Sequence, residues 1–343
     1  MLMSEFAFAK SFDYKAYNQL VNKAELAITE NKYSQALEYF NAAFEMKEKP
    51  FVQDLFNASI CAVKESKLKE AQLLCNRLAE AGVGGKFLSE NSVYEPLSRQ
   101  KGWKELIKLA DETRTKFQTN NKQLLHTLDS MSEKDQRVNR EWRAAGFSME
   151  TPERKHMDLT YDTLSNDLFK LFNKIGFVSE QMIGAVVKDD TTLEYRLPYD
   201  IIVIHNYQSR RQGDTLFRPM LYKAMREGLV KPEYLALIED FGSNMIERPS
   251  YGTTHCYVLY KCNMYLDHYA KEIFSKLNAN RNDIGMGPVD DDLKKILYKI
   301  SNPHSKFMFR ANYSKYGSFA NKDSEDKFLE VSELIVKEIP ECQ

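Results

Sequence analysis

No apolar run in the 343 residues approaches the ~18 that a membrane helix requires, so no bilayer span is expected. Neither sign of charge dominates: 48 Lys and Arg stand against 49 Asp and Glu, a formal net charge of -1. Nucleic-acid binders usually carry a basic excess, and that class is set aside. Proline (10) and glycine (14) are sparse, which argues against a low-complexity or disordered chain. Five cysteines (Cys61, Cys75, Cys256, Cys262 and Cys342) are too few and too scattered for a disulfide framework. Their odd number leaves at least one thiol free or paired between chains. Cys61 and Cys75 fall on apolar helix faces, where a buried, inert thiol is the default. What is present, 43% hydrophobic and 28% charged residues, is the composition of a soluble folded chain of about two domains.

Several chemical signatures are missing as well. No phosphate-loop, dinucleotide-fold or zinc-protease pattern occurs. Gly82-Val83-Gly84-Gly85 is not followed by Lys-Ser/Thr and reads as a turn, and the Tyr313–Ser318 stretch lacks the glycine and strand of a nucleophile elbow. His255, Cys256, Cys262 and His268 crowd together, but the two cysteines are separated by five residues and the adjacent His255 and Cys256 point to opposite faces of a strand. Neither a metal nor a cofactor is expected. Ala7-Phe8-Ala9 has the small-x-small form of a signal-peptidase site, yet the residues before it include Glu5 and are too few for an apolar leader. As written the chain reads as cytoplasmic; a start codon placed too late would make it periplasmic or envelope-associated.

An internal repeat organises the first third. Ala36, Ala71 and Leu106 are spaced 35 residues apart. In the first unit Leu20, Ala24 and Ala27 share a helix face, Asn31-Lys32-Tyr33 turns, and Ala36, Phe40 and Ala43 face back. Leu55, Ala58, Ala62, then Leu68, Ala71, Cys75 and Leu78 repeat the scheme. The third unit is looser: Phe87, Leu88, Tyr94, Leu97, a Lys101-Gly102-Trp103 turn, then Leu106, Leu109 and Ala110. Small residues at these positions let antiparallel helices approach closely. The pattern resembles the tetratricopeptide repeat, without the Trp and Gly usual in its first helix.

Beyond a polar stretch at Thr119–Lys122, the pattern Leu124, Leu125, Leu128, Met131 is helical, with Ser132-x-x-Asp135 available to cap a following helix. Pro152 breaks the chain, and 159–175 is helix-periodic up to a capping Gly176. Residues 199–206 are ambiguous between a buried strand and a buried helix. Short helices are expected over 216–227 and 232–240, a strand or hairpin over 253–261, and a helix over 265–277. Helices over 290–300 and 326–339 close the chain, joined by a surface loop at 312–322. The run Asp290-Asp291-Asp292 reads as acidic capping of the helix it opens.

One constellation suggests chemistry. His205 closes an apolar run, Asp240 ends a helix, and Tyr251, Thr253 and Arg281 follow. Converging in one cleft, such groups perform general acid–base work on an anionic substrate. His205 and Asp240 are the catalytic candidates; Tyr251, Thr253 and Arg281 are the ligand-binding candidates.

The ordered set Asp135-Gln136-x-x-x-Arg140, Asp162-x-x-x-Asn166, Gly176-Phe177-x(6)-Gly184, His205, Gly228, Asp240, Tyr251-Gly252-Thr253 and Arg281-x-x-x-Gly285-Met286-x-Pro288 resembles an uncharacterised bacterial domain family often found in secreted or envelope proteins. The resemblance implies that 199–206 is a buried helix; it implies no activity. Ile204, Pro249, Ser250, Thr254 and Asn280 depart from the family's Gln and Arg positions.

The expected fold is mostly α. A short N-terminal segment (1–13) precedes a tetratricopeptide-like helical hairpin array (14–118). A mainly helical domain with a small β element follows (123–300), then a loop and C-terminal helix (301–343). Two functions are expected to compete: an interaction module that offers its array to a protein or peptide partner, and a small-molecule binder or acid–base enzyme built on the His205/Asp240/Tyr251/Arg281 group.

Overall fold

The computed structural model describes residues 12–194, 196–209, 216–242, 250–253 and 256–339. The possible leader, Pro249, Thr254, His255 and Cys342 lie outside the described residues.

Two helical hairpins open the chain. α1 (Tyr14–Thr29) returns as α2 (Tyr33–Phe44), and α3 (Val52–Lys64) returns as α4 (Leu68–Glu80). Their turns are copies of one another. Asn31 and Ser66 both adopt φ 57°. Lys32 N donates to Ala27 O and Lys67 N to Ala62 O, each at 2.9 Å, the six-to-one bond of a Schellman ending. Ala24, Ala27, Ala36, Ala43, Ala58, Ala62 and Ala71 are all buried, so the helices cross where the side chains are small. The third unit is broken into α5 (Gly85–Glu90), a short 3-10 turn and α6 (Glu95–Ser98), before α7 (Trp103–Asn120). Leu106 and Ala110 of α7 are buried, whereas Leu109, expected to face inward, is exposed.

A single residue, Asn121, separates α7 from α8 (Lys122–Ala144); its amide donates to the Phe117 and Met182 carbonyls at 3.0 Å each. α8 is continuous, so Ser132 and Asp135 cap nothing: Ser132 Oγ donates to the Pro198 carbonyl instead. Pro152 opens α9 (Pro152–Ile175) rather than breaking the chain, one residue after the N-cap Thr151, whose Oγ1 accepts from Arg154 N at 3.2 Å. Leu164, Leu168 and Phe172 line its buried face.

α10 (Glu180–Ile183) and a two-stranded ribbon, β1 (Val187–Lys188) with β2 (Thr192–Leu193), lead into α11 (Asp200–Ser209). The ambiguous apolar run is therefore helix. Ile202, Val203, His205, Asn206 and Tyr207 are all buried, and burial on several sides overrides the strand preference of β-branched residues. α12 (Arg218–Arg226) and α13 (Pro232–Gly242) complete this layer.

The remaining chain builds a small sheet. β3 (Tyr257–Tyr260) and β4 (Asn263–Leu266) form a hairpin. Lys261 and Cys262 both have positive φ, 47° and 56°, as a type I′ turn requires. α14 (His268–Glu272), α15 (Phe274–Asp283), α16 (Val289–Ser301), β5 (Ser314–Tyr316), α17 (Lys322–Val331) and β6 (Glu333–Val336) follow. Strand order is β5-β3-β4-β6, with β3–β5 parallel and the other pairs antiparallel. Three expectations are corrected here. The helix expected over 265–277 begins as β4, the loop expected at 312–322 contains β5, and the terminal helix ends at Val331 so that β6 can pair with β4.

The chain is thus mainly α; among the described residues there are two small sheets, and no helix is long and apolar enough to cross a membrane. One core fills the array, a second joins α8, α9 and α11–α13, and a third lies between the four-stranded sheet and α14–α16. Phe307 and Phe309, far along the chain, belong to the array's core.

Candidate functional site

The five sequence candidates divide into two arrangements. His205, on α11, is buried against α8 and α9. Its Nδ1 lies 2.9 Å from the Asp135 carboxylate, and its ring stacks on Tyr161 at 4.2 Å between centroids, 20° from parallel. Asn139 Nδ2 donates to the Tyr161 hydroxyl at 2.9 Å. Burial raises the Tyr161 hydroxyl to about 12, against the pull of the Asn139 hydrogen bond. Asp135 is fully buried, and its carboxylate is met by His205 and by Gln136 Nε2, which donates to it at 3.1 Å. His205 thus ties α11 to α8 and α9.

Asp240, at the end of α13, holds a loop. Oδ1 accepts from Ser250 N at 2.6 Å and Tyr251 N at 2.8 Å, while Oδ2 accepts from Thr253 N and Thr253 Oγ1 at 2.7 Å each. Burial raises its pKa although all these bonds act to lower it. Gly252, inside the loop, has φ +67°, and a Cβ there would stand 2.4 Å from Cys256 Sγ, so only glycine fits. Arg281, on α15, grips the same loop from the other side. Its Nη1 donates to Tyr251 O at 3.0 Å, its Nε to Gly287 O at 2.6 Å and its Nη2 to Asp292 Oδ2 at 2.8 Å. Two of the three acidic residues that open α16 thus have specific partners, since Asp291 accepts from Asn22 at 2.7 Å. Asp240, Tyr251, Thr253 and Arg281 are brought together, but around a backbone loop. A cleft of about 370 Å³ beside them is lined by Tyr251, Tyr222, Arg218 and Glu239, and by none of the other four candidates.

A larger polar assembly lies where sequence reasoning did not look, along α3. Eleven of its thirteen residues are buried, including the polar Gln53, Asp54, Asn57 and Ser59. Asn57 grips the backbone of Met308 from both sides: Oδ1 accepts from Met308 N at 2.9 Å and Nδ2 donates to Met308 O at 2.6 Å. Gln53 Nε2 adds a second donor to that carbonyl at 2.9 Å. Flanking this clamp, Phe307 stacks on Tyr33 at 5.8 Å, and Phe309 packs edge-on to Tyr298 at 5.4 Å.

Arg310 then plunges into an acidic hole. Its guanidinium pairs with Asp54, lies 3.2 Å from Glu233 Oε2 and 4.0 Å from Glu25 Oε1, and donates to Asn18 Oδ1 at 3.1 Å. Tyr17 donates to the other Asp54 oxygen at 2.8 Å, and Lys295 pairs with Glu25 at 2.6 Å. Burial alone would lower the Arg310 pKa; Asp54, Glu233 and Glu25 together outweigh it and raise the pKa. The only sequence hint is the i,i+4 pair Gln53/Asn57 on a helix otherwise too apolar to need amides.

A separate carboxyl makes the fold pH-sensitive. Asp200 accepts from Tyr234 Oη at 2.6 Å and Leu197 N at 3.0 Å. Burial raises its pKa to about 7, against those hydrogen bonds. A raised folded-state pKa means its stabilisation is complete below the ordinary value of 3.8 and is lost as pH climbs to about 7. Asp200→Asn should therefore flatten the fall in stability across that window, a component of roughly 1.4 kcal/mol per pH unit. Urea midpoints for both chains across the window check it; parallel curves would refute the assignment.

Comparison of the chain with protein-family models, curated proteins and solved structures gives no match.

Proposed function

We propose that this protein is an interaction module whose helical array is a groove for an extended peptide, and that its own segment 303–311 occupies part of that groove. The carrying observation is the Asn57 clamp. A side-chain amide that satisfies both backbone groups of one residue holds main chain irrespective of side chain, as recognition of an extended peptide requires. The preferred sequence follows from the flanking contacts: aromatic-x-aromatic-Arg, as in Phe307-Met308-Phe309-Arg310. Aromatic rings supply the apolar area and the acidic hole selects arginine. The matching turns of the first two hairpins support a tetratricopeptide-like array as the scaffold.

The groove has room beyond its internal occupant. An open channel of about 870 Å³ runs on past Phe307, walled by Tyr33, Ile60, Val63, Lys64, Val93 and Pro96. A partner peptide bearing the same motif would bind by displacing 303–311 or by continuing beside it. The rival reading, an acid–base enzyme at His205, Asp240, Tyr251, Thr253 and Arg281, is disfavoured because His205 is paired apart from the other four and only Tyr251 of the five lines the adjacent cleft. The test is whether a free peptide of the internal sequence binds once the chain's own copy is weakened.

A further inference from the structure

A second cavity lies between the start of α3 and the segment that enters α13. It is small, about 80 Å³, room for about five waters or one short ligand. Its walls are chiefly apolar, with Leu193, Leu197, Leu229, Val230, Leu237 and Phe309 among them. Lys231 and Glu180 also line it.

Lys231 shares the lack of a close carboxylate partner with Lys47, whose pKa burial likewise lowers to about 8, but of the two only Lys231 lines the cavity. Arg310 is surrounded by carboxylates, Lys295 has Glu25, and Lys47 donates to the Gly228 carbonyl at 2.8 Å. The Lys231 amine donates to Gln53 Oε1 at 2.6 Å, and no carboxylate among the described residues lies within 4.0 Å of it. Two other cations lie close by, while Asp54, Glu180 and Glu233 act on it from further off. Lys231, Lys47 and Arg310 lie 5.4, 4.8 and 5.7 Å from the centroid of one ring, Phe51. Burial, reinforced by Arg310 and opposed by Asp54, Glu180 and Glu233, lowers its pKa to about 8. An amine desolvated in an apolar pocket beside another cation is the arrangement that leaves lysine neutral and nucleophilic.

We propose that Lys231 captures a small aldehyde or ketone with an aliphatic or aromatic tail, as an imine, inside this cavity. The nitrogen lone pair attacks the carbonyl carbon, and the nitrogen's proton passes to the carbonyl oxygen to give a carbinolamine. The carbinolamine hydroxyl leaves as water, taking up a proton as the C=N bond forms, and the remaining N–H proton returns to the group that supplied it. Amine plus carbonyl compound gives imine plus water, with no change of oxidation state. Glu180, which lines the same cavity and whose pKa burial raises, is the group assigned to pass the proton to the departing hydroxyl. A neutral carbonyl fits better than a carboxylate ligand, because Glu194 and Glu233 also line the cavity and would repel an anion.

The experiment is reductive trapping on the full-length chain. Wild-type protein is incubated with 3-methylbutanal and cyanoborohydride at neutral pH, and the alkylated lysines are mapped by mass spectrometry. Lys231 should be modified at least about tenfold faster than any other lysine, with a rate that rises to a plateau near pH 8. Urea should abolish that preference, and Glu180→Gln, with unchanged circular dichroism, should slow the modification. The proposal is overturned if Lys231 reacts no faster than surface lysines. It is equally overturned if 3-methylbutanoate protects Lys231 and raises the melting temperature while the aldehyde leaves no trapped adduct. Wild-type mapping decides the matter even if a variant fails to fold.

Discussion

Arg310→Met should lower the unfolding free energy by about 3–5 kcal/mol, because removing one partner strands buried charge. The guanidinium is 4% exposed, and its loss would leave Asp54, at 0%, and Glu25, at 1%, facing each other's charge with only Tyr17 and Lys295 in support. Methionine fills much of the volume, so the loss reports electrostatics more than a cavity. Arg310→Lys should recover part of it: the charge remains, but one ammonium cannot reproduce the fork that reaches Asp54, Glu233 and Asn18 together. Urea or guanidinium denaturation measures both variants. A loss below about 1 kcal/mol for Arg310→Met would place it with ordinary surface substitutions and contradict the account of the acidic hole.

Arg281→Met should have an effect of the same order, about 3–5 kcal/mol. It would leave the buried Asp292 carboxylate without its 2.8 Å partner and free the Tyr251 and Gly287 carbonyls. The double variant Arg281→Met/Asp292→Leu should be more stable than Arg281→Met, because no buried charge then remains unpaired. A ligand-binding Arg281 gives a different pattern, with stability little changed and the double variant no better. Equilibrium denaturation of the two chains separates these outcomes.

The array was legible because helix packing writes itself locally. Alanine every three or four residues on facing helices, repeated at 35, is visible without knowing any tertiary contact. The sheet's outer strand was not. Residues 333–336 become extended by pairing with Met264–Leu266, some seventy residues earlier, and no local signal encodes that partner. The polar residues show the same division. Asp240 and Arg281 stood out as chemically able, and both turn out to satisfy backbone groups of a nearby loop. Asp135 reads in the sequence as a capping residue and as part of a motif, since nothing in its own helix points to His205 across seventy residues of chain. Arg310 was invisible for a stronger reason. Its partners Asn18, Glu25, Asp54 and Glu233 come from three different helices and lie 77 to 292 positions away, so its burial exists only once the chain has folded.

The central claim is that the array reads extended backbone through Asn57, and a binding measurement tests it directly. Met308→Pro in the full chain removes the N–H that Asn57 Oδ1 accepts, weakening the internal occupant while leaving the groove intact; circular dichroism verifies the fold. A labelled synthetic peptide carrying the native sequence of residues 301–313 is then titrated by fluorescence anisotropy. The account predicts that the peptide binds the Met308→Pro chain and binds wild type at least about tenfold more weakly, because the internal copy competes. Adding Asn57→Ala to the receptor should abolish the binding. A native peptide that binds neither chain, or binds both equally and regardless of Asn57, would contradict it.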